Sequence, residues 1–213
     1  MADDELDVEA FAEALGAGED GRLLLVLDAL QECDRRGPLP EPVLAPLLEC
    51  LRRPRKAVQR TAAEVLALWS RVTPEIRPRL LERLHDADFH VRWGAAFALA
   101  KIGPEPATLG VLLETLGQSD GDMRWAAQGI VVALARRDPA VRDRLGALVA
   151  TGTPPQRKMA MYCLRDLGEP LPGIRDALIG GLAHDDPEVR LAALSALSHL
   201  FAEDAASAVA VLE

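Results

Sequence analysis

Aromatic residues are scarce in this sequence: eight among 213 residues, or 4%. Strands favour aromatic and β-branched side chains. Their scarcity, beside an excess of the strong helix formers Ala and Leu, argues against an all-β fold. Cysteine is scarce too. Cys33, Cys50 and Cys163 are odd in number and show no C-x-x-C spacing, which gives zinc and redox motifs no support. They are expected to be small buried thiols in a reducing cytoplasm. No apolar run approaches the ~18 residues of a membrane span. The N-terminal segment has neither the basic nor the apolar region of a secretory signal, so a cytoplasmic location is expected. A positive balance is missing as well. With 24 Lys/Arg against 33 Asp/Glu the net charge is −9, unfavourable for a general nucleic-acid binder. No nucleophile elbow, Walker loop or dinucleotide fingerprint occurs. Asp185-Asp186 reads as loop and cap, and Asp3-Asp4 as tail. No catalytic residue, cofactor or metal is therefore expected.

What is present is a repeat. Val58, Val91, Met123, Gln156 and Val189 open five similar segments at spacings of 33, 32, 33 and 33 residues. Four positions later stand Ala62, Ala95, Ala127, Ala160 and Ala193; eight later, Leu66, Leu99, Val131, Leu164 and Leu197. Eleven later come Trp69, Ile102, Leu134, Leu167 and Leu200. Positions 0, 4, 8 and 11 form one stripe of an α-helix. A second helix is expected before each of these, closed by Leu51, Leu84, Leu116, Leu148 and Leu182. Pro74, Pro106 and Pro139 stand near the starts of those helices. Asp88, Asp120 and Asp186 stand where N-caps would. A divergent pair at the N-terminus is expected to place Arg22, Val26, Leu30 and Cys33 in the same stripe. Such stripes cannot be buried within one hairpin and must be covered by stacked neighbours. The expected fold is all-α: one right-handed α-solenoid of about six hairpins over residues 1–213. It would comprise an acidic segment and first helix at 1–20, a second helix at 21–36, regular repeats at 40–201 and a partial helix at 203–213.

The recurring Asp-x-x-(Val/Met)-Arg followed by paired small residues, at Asp88–Ala96, Asp120–Gln128 and Asp186–Ala193, resembles the HEAT-like repeat. The short period is similar to the phycobilisome-lyase type of that repeat. The resemblance covers about residues 40–201 well and 5–36 weakly. It implies scaffolds, bilin lyases and chaperones, a di-iron hydroxylase or DNA alkylpurine glycosylases. The hydroxylase type would need repeated His-Glu pairs. Here none of the four histidines is followed by Glu, and His85-Asp86 and His184-Asp185 lie three repeats apart. The glycosylase type implies a basic face. Arg52, Arg53, Arg55, Lys56 and Arg60 do cluster, and residues 35–92 hold twelve Lys/Arg against seven Asp/Glu. The resemblance also implies that the column-1 arginines, Arg92, Arg124, Arg157 and Arg190, pair with loop aspartates.

Positions 2, 6 and 9 of each second helix point away from the core stripe. Position 2 reads Arg60, Trp93, Trp125, Lys158, Leu191, and position 6 reads Glu64, Phe97, Gly129, Tyr162, Ser195. Position 9 reads Ala67, Ala100, Val132, Arg165, Ser198. Four of the eight aromatics fall here, and Trp and Tyr concentrate binding energy at interfaces. The expected partner-binding residues are thus Arg60, Trp93, Phe97, Trp125, Gly129, Lys158, Tyr162 and Arg165. Gly129 would open a notch or else serve close helix packing. Arg60, Lys158 and Arg165 would select an acidic-aromatic or acidic-apolar protein segment. The acidic N-terminal twenty residues could compete with a partner at the 52–60 cluster. The expected function is a non-enzymatic scaffold or adaptor. The alternatives are a tetrapyrrole-handling lyase or chaperone and a nucleic-acid binder acting through the 52–60 cluster.

Overall fold

Local chemistry sets where several of the helices begin. The computed structural model of the protein describes residues 7–33, 35, 37–171 and 173–201, so residues 1–6 and the helix expected at 203–213 lie outside them. Every regular element among the described residues is helical: α1 (Val8–Ala17), α2 (Asp20–Glu32), α3 (Glu41–Glu49), α4 (Lys56–Trp69), α5 (Ile76–Arg83) and α6 (Phe89–Ile102), then α7 (Leu109–Thr115), α8 (Gly121–Ala135), α9 (Pro139–Thr151), α10 (Pro154–Leu167), α11 (Ile174–Gly181) and α12 (Pro187–Leu200). Asp88, Asp120 and Asp186 cap α6, α8 and α12, accepting from the amides of His90, Met123 and Glu188. Each satisfies one of the orphan donors that a helix start leaves open. Thr153 and Gln156 close a capping box on α10, and Pro139 stands at the first position of α9.

The chain divides into two compact units, residues 1–108 and 109–213. In the first, α2, α4 and α6 pack side by side in chain order, and α1 packs on α3. The Trp69 indole of α4 donates to the Leu30 carbonyl of α2 at 3.0 Å, inside the core. Arg79 and Arg83 of α5 reach Glu41 and Glu49 of α3 at 2.8 and 2.6 Å. These exposed pairs add little energy each but hold neighbouring first helices in register. In the second unit, α8, α10 and α12 pack in the same manner and α9 meets α11. Gln128 of α8 donates to Asp166 at 2.6 Å, and Gln156 of α10 donates to the Leu113 carbonyl at 3.2 Å. Within each unit the stacking is that of an α-solenoid.

The stripe at positions 0, 4, 8 and 11 forms the core: Val58, Ala62, Leu66 and Trp69 are buried on α4, and Met123, Ala127, Val131 and Leu134 on α8. The N-terminal pair departs from the expected register. Leu23, Leu27 and Leu30 are the buried residues of α2, whereas Arg22 is exposed and Val26 half-buried. Residues 23–27 are uninterruptedly apolar, so two stripes compete. The one that wins keeps a guanidinium in water, because burying an unpaired charge costs far more than exposing a valine.

The arginine ladder is structural. Arg92 donates to the carbonyls of Asp86 and Ala87, Arg124 to those of Gln118 and Ser119, and Arg190 to those of His184 and Asp185. Arg157 reaches the Gly152 carbonyl at 2.8 Å. Each guanidinium satisfies the open carbonyls at the turn of its own hairpin. For Arg92 and Arg190 the loop aspartate is thus engaged through its backbone oxygen.

Cys50 and Cys163 are buried and Cys33 half-buried, all as thiols. Burial pushes the Cys50 thiol up to about 11, with the Arg53 charge pulling the other way. Burial raises Cys163 as well, with the Asp166 carboxylate adding to it. The thiolate is the reactive form. We therefore expect a thiol reagent at pH 8 to label Cys33 alone in the native protein and all three thiols after denaturation, counted by mass.

Gly94 sets a close contact. A Cβ there would meet the Leu51 carbonyl oxygen at 2.6 Å and the Leu51 Cβ at 2.8 Å. Alanine is the better helix former by about 1 kcal/mol, yet the clash is with backbone. Gly94→Ala should therefore lose about 1–3 kcal/mol in a denaturant melt, the usual cost of overpacking.

Candidate functional site

The outward positions of the second helices form two ring pairs, one in each unit. In the first unit, Trp93 packs against Phe97 with ring centroids 5.6 Å apart and planes tilted by 36°. Trp93 corrects the expectation of an outward indole, since it is only 5% exposed. The physical reason is that a helical wheel describes directions relative to one hairpin, whereas accessibility depends on everything packed around it. Just beside Trp93, Gly94 draws α6 against the turn at Leu51. Phe97 is half-buried beneath the Lys101 ammonium, 5.5 Å from its ring centroid. Arg60 is exposed on α4 and makes no hydrogen bond or ion pair with a described residue.

The second unit holds the accessible pair. Trp125 of α8 is 51% exposed, and its indole stacks on Tyr162 of α10 at 5.5 Å with 18° between the planes. The Arg165 guanidinium lies 4.9 Å from the Tyr162 ring centroid. It also donates to Asp166 at 2.8 Å and to the Ser195 hydroxyl of α12 at 3.3 Å. Helix geometry explains the stack: Trp125 and Tyr162 occupy positions 2 and 6 of neighbouring second helices, and α8 packs on α10. Lys158, on the same face, pairs with Glu188 of α12 at 2.5 Å. Leu191, at position 2 of α12, is 62% exposed.

Gly129 is exposed on α8, and a Cβ built there would meet nothing within 4 Å. That removes close helix packing as its reason and leaves open space on the face that carries Trp125. Sequence reading placed Trp125, Tyr162, Lys158 and Arg165 on this face. It missed that Glu188, supplied by the next repeat, and Asp166, the neighbouring residue of α10, neutralise the two cations, because a helical period does not report side-chain pairing. It also did not select Leu191, although the position-2 column contains it. Among the described residues no group of three or more His, Cys, Asp or Glu could hold a metal ion. No described helix is long and apolar enough to cross a membrane.

The repeat period, the aspartate caps, the arginine ladder and the stacked second helices define a class, the helical-repeat proteins. Family models for HEAT repeats match residues 44–131 and 174–202, and the chain belongs to the HEAT-like repeat proteins. Its structural likenesses include a designed armadillo repeat protein (18% identity, 91% of this chain and 100% of the other, TM-score 0.43). Another is a designed armadillo repeat protein in complex with a (KR)4 peptide (18% identity, 91% and 99% covered, TM-score 0.44). A third is an engineered protein (20% identity, 93% and 100% covered, TM-score 0.47). No curated protein sequence matches the chain significantly.

The geometry of Gly129 gives a direct expectation. Gly129→Ala should raise stability by about 0.5–1 kcal/mol, the helix propensity difference with no clash to oppose it. A differential scanning melt checks this.

Proposed function

We propose that the protein is a non-catalytic interaction scaffold whose second unit binds a protein segment on the Trp125–Tyr162 face. The observation that carries the reading is a tryptophan half in water, held flat against a tyrosine. Large aromatics normally bury most of their surface. A ring pair left accessible and rigid supplies contact area with little entropy still to lose, as hot-spot residues do. Gly129 leaves room beside the indole for a partner side chain, and Leu191 extends the apolar surface onto α12. Lys158 and Arg165 are each paired with a carboxylate, so selection on this face is by shape and apolar area. The acidic preference expected of these cations has support only at Arg60, in the other unit. A cytoplasmic location accords with cysteines present as thiols.

The test compares the native protein with Trp125→Ala and Tyr162→Ala, first in capture from native extract and then in titration of the captured segment. Because Trp125 is so exposed, its removal should leave the melting temperature nearly unchanged. Binding should weaken by about tenfold or more, the loss of a typical hot spot. Undiminished binding by both variants overturns the reading. An absorbance change on mixing with a bilin, lost in the same variants, would move the ligand to a tetrapyrrole. Steeply salt-dependent DNA binding would instead move the function to the 52–60 cluster, where Arg52 already lies 3.5 Å from Glu49 and 3.9 Å from Asp88.

A further inference from the structure

The first unit contains a cleft that the aromatic face does not use. It lies toward the C-terminal ends of three neighbouring second helices, α2, α4 and α6, is open to solvent, and has a volume of about 570 Å³. That is within the ~300–1,000 Å³ of small-ligand sites. Ala67, Leu68 and Ile102 give it apolar lining, and Gln31, Arg71 and Lys101 surround these with donors. Glu64 is the one carboxylate among the lining residues. Its charge is already engaged, because Lys101 Nζ stands 3.3 Å away. Lys101 in turn lies over the Phe97 ring, so the ammonium is fixed from two sides.

What remains uncommitted is donor capacity. Neither the Arg71 guanidinium nor the Gln31 carboxamide makes a hydrogen bond or ion pair with a described residue. Two cations against one carboxylate leave the cleft locally positive in a chain whose net charge is −9. A guanidinium presents a planar fork of donors that matches a carboxylate bidentately. The apolar lining calls for a hydrocarbon group attached close to that carboxylate.

We infer that this cleft binds the C-terminal carboxylate of a peptide whose last residue is large and apolar. Arg71 takes the carboxylate as a bidentate pair, and Gln31 adds a further donor. The terminal side chain covers Leu68 and Ile102. A chain end suits the cleft better than a free acid because the Ser70 hydroxyl, a lining group that donates to the Ala67 carbonyl, has lone pairs left to accept. The peptide's own N–H groups can use them. The inference stands apart from the Trp125 face, being in the other unit.

The probe is a fluorescein-labelled Gly-Gly-Phe-Leu peptide, with a free C-terminus in one form and an amidated one in the other, read by fluorescence polarisation against the full chain. The free acid should bind at least tenfold tighter than the amide. Arg71→Gln should erase that difference without moving the melting temperature, since Arg71 is exposed and unpaired. Gln31→Ala should reduce it, and Trp125→Ala should leave it intact. Equal binding of acid and amide, an unaffected Arg71→Gln variant, or no binding of either form at millimolar concentration would overturn the inference. So would competition by hexanoate as effective as that of unlabelled peptide, since a free acid would then be the better description.

Discussion

The fold depends on an apolar stripe that no single hairpin can bury. On the second helices from α4 onward the residues at positions 4 and 8 are buried along one face; position 0 joins them on α4, α6, α8 and α12, and position 11 on α4 and α8. Removing apolar surface from water is worth roughly 25 cal/mol per Å², so the stripe must find neighbours. It finds them in the adjacent second helices, α2–α4–α6 in one unit and α8–α10–α12 in the other. Alanine at position 4 permits close helix approach, and Gly94 permits a closer one. Each hairpin's stability is accordingly shared with the next, as in other repeat arrays.

Polar groups in this packing serve mainly to close helix ends. Asp88, Asp120 and Asp186 take up amides at the start of a second helix, while Arg92, Arg124 and Arg190 of the same helices take up carbonyls from the preceding turn. One short motif thereby serves both ends of the turn that joins a hairpin. This is the physical content of the repeat signature, and it explains why the signature specifies a fold while saying little about a ligand. Function has to come from positions the motif leaves unconstrained, namely 2, 6 and 9 and the residues near helix ends.

At those positions the two units differ. In the first, position 2 of α6 is a buried indole, and the open feature is a donor-lined cleft. In the second, position 2 of α8 is an indole in water, stacked on a tyrosine and flanked by neutralised cations. Both features arise between neighbouring second helices, where a side chain from one repeat meets what the next repeat supplies. A scaffold built this way can vary each surface without altering the stripe beneath it.

The repeat period, the core columns and the aspartate caps were all legible in the sequence, because 3.6-residue periodicity and capping are local properties. The positions of Trp125, Tyr162, Lys158 and Arg165 on one face followed from the same arithmetic. Periodicity failed in the N-terminal pair, where a run of five apolar residues fits two registers and packing chose the one that freed Arg22. Tertiary structure alone decided that Trp93 is withdrawn from water while Trp125 is not, although both occupy position 2. It alone decided that Glu188 neutralises Lys158 beside the stack, and that Gln31, Arg71 and Lys101 share a cleft. Periodicity fixes the direction of a side chain on its own helix; exposure and pairing depend on what the neighbouring helices bring to meet it.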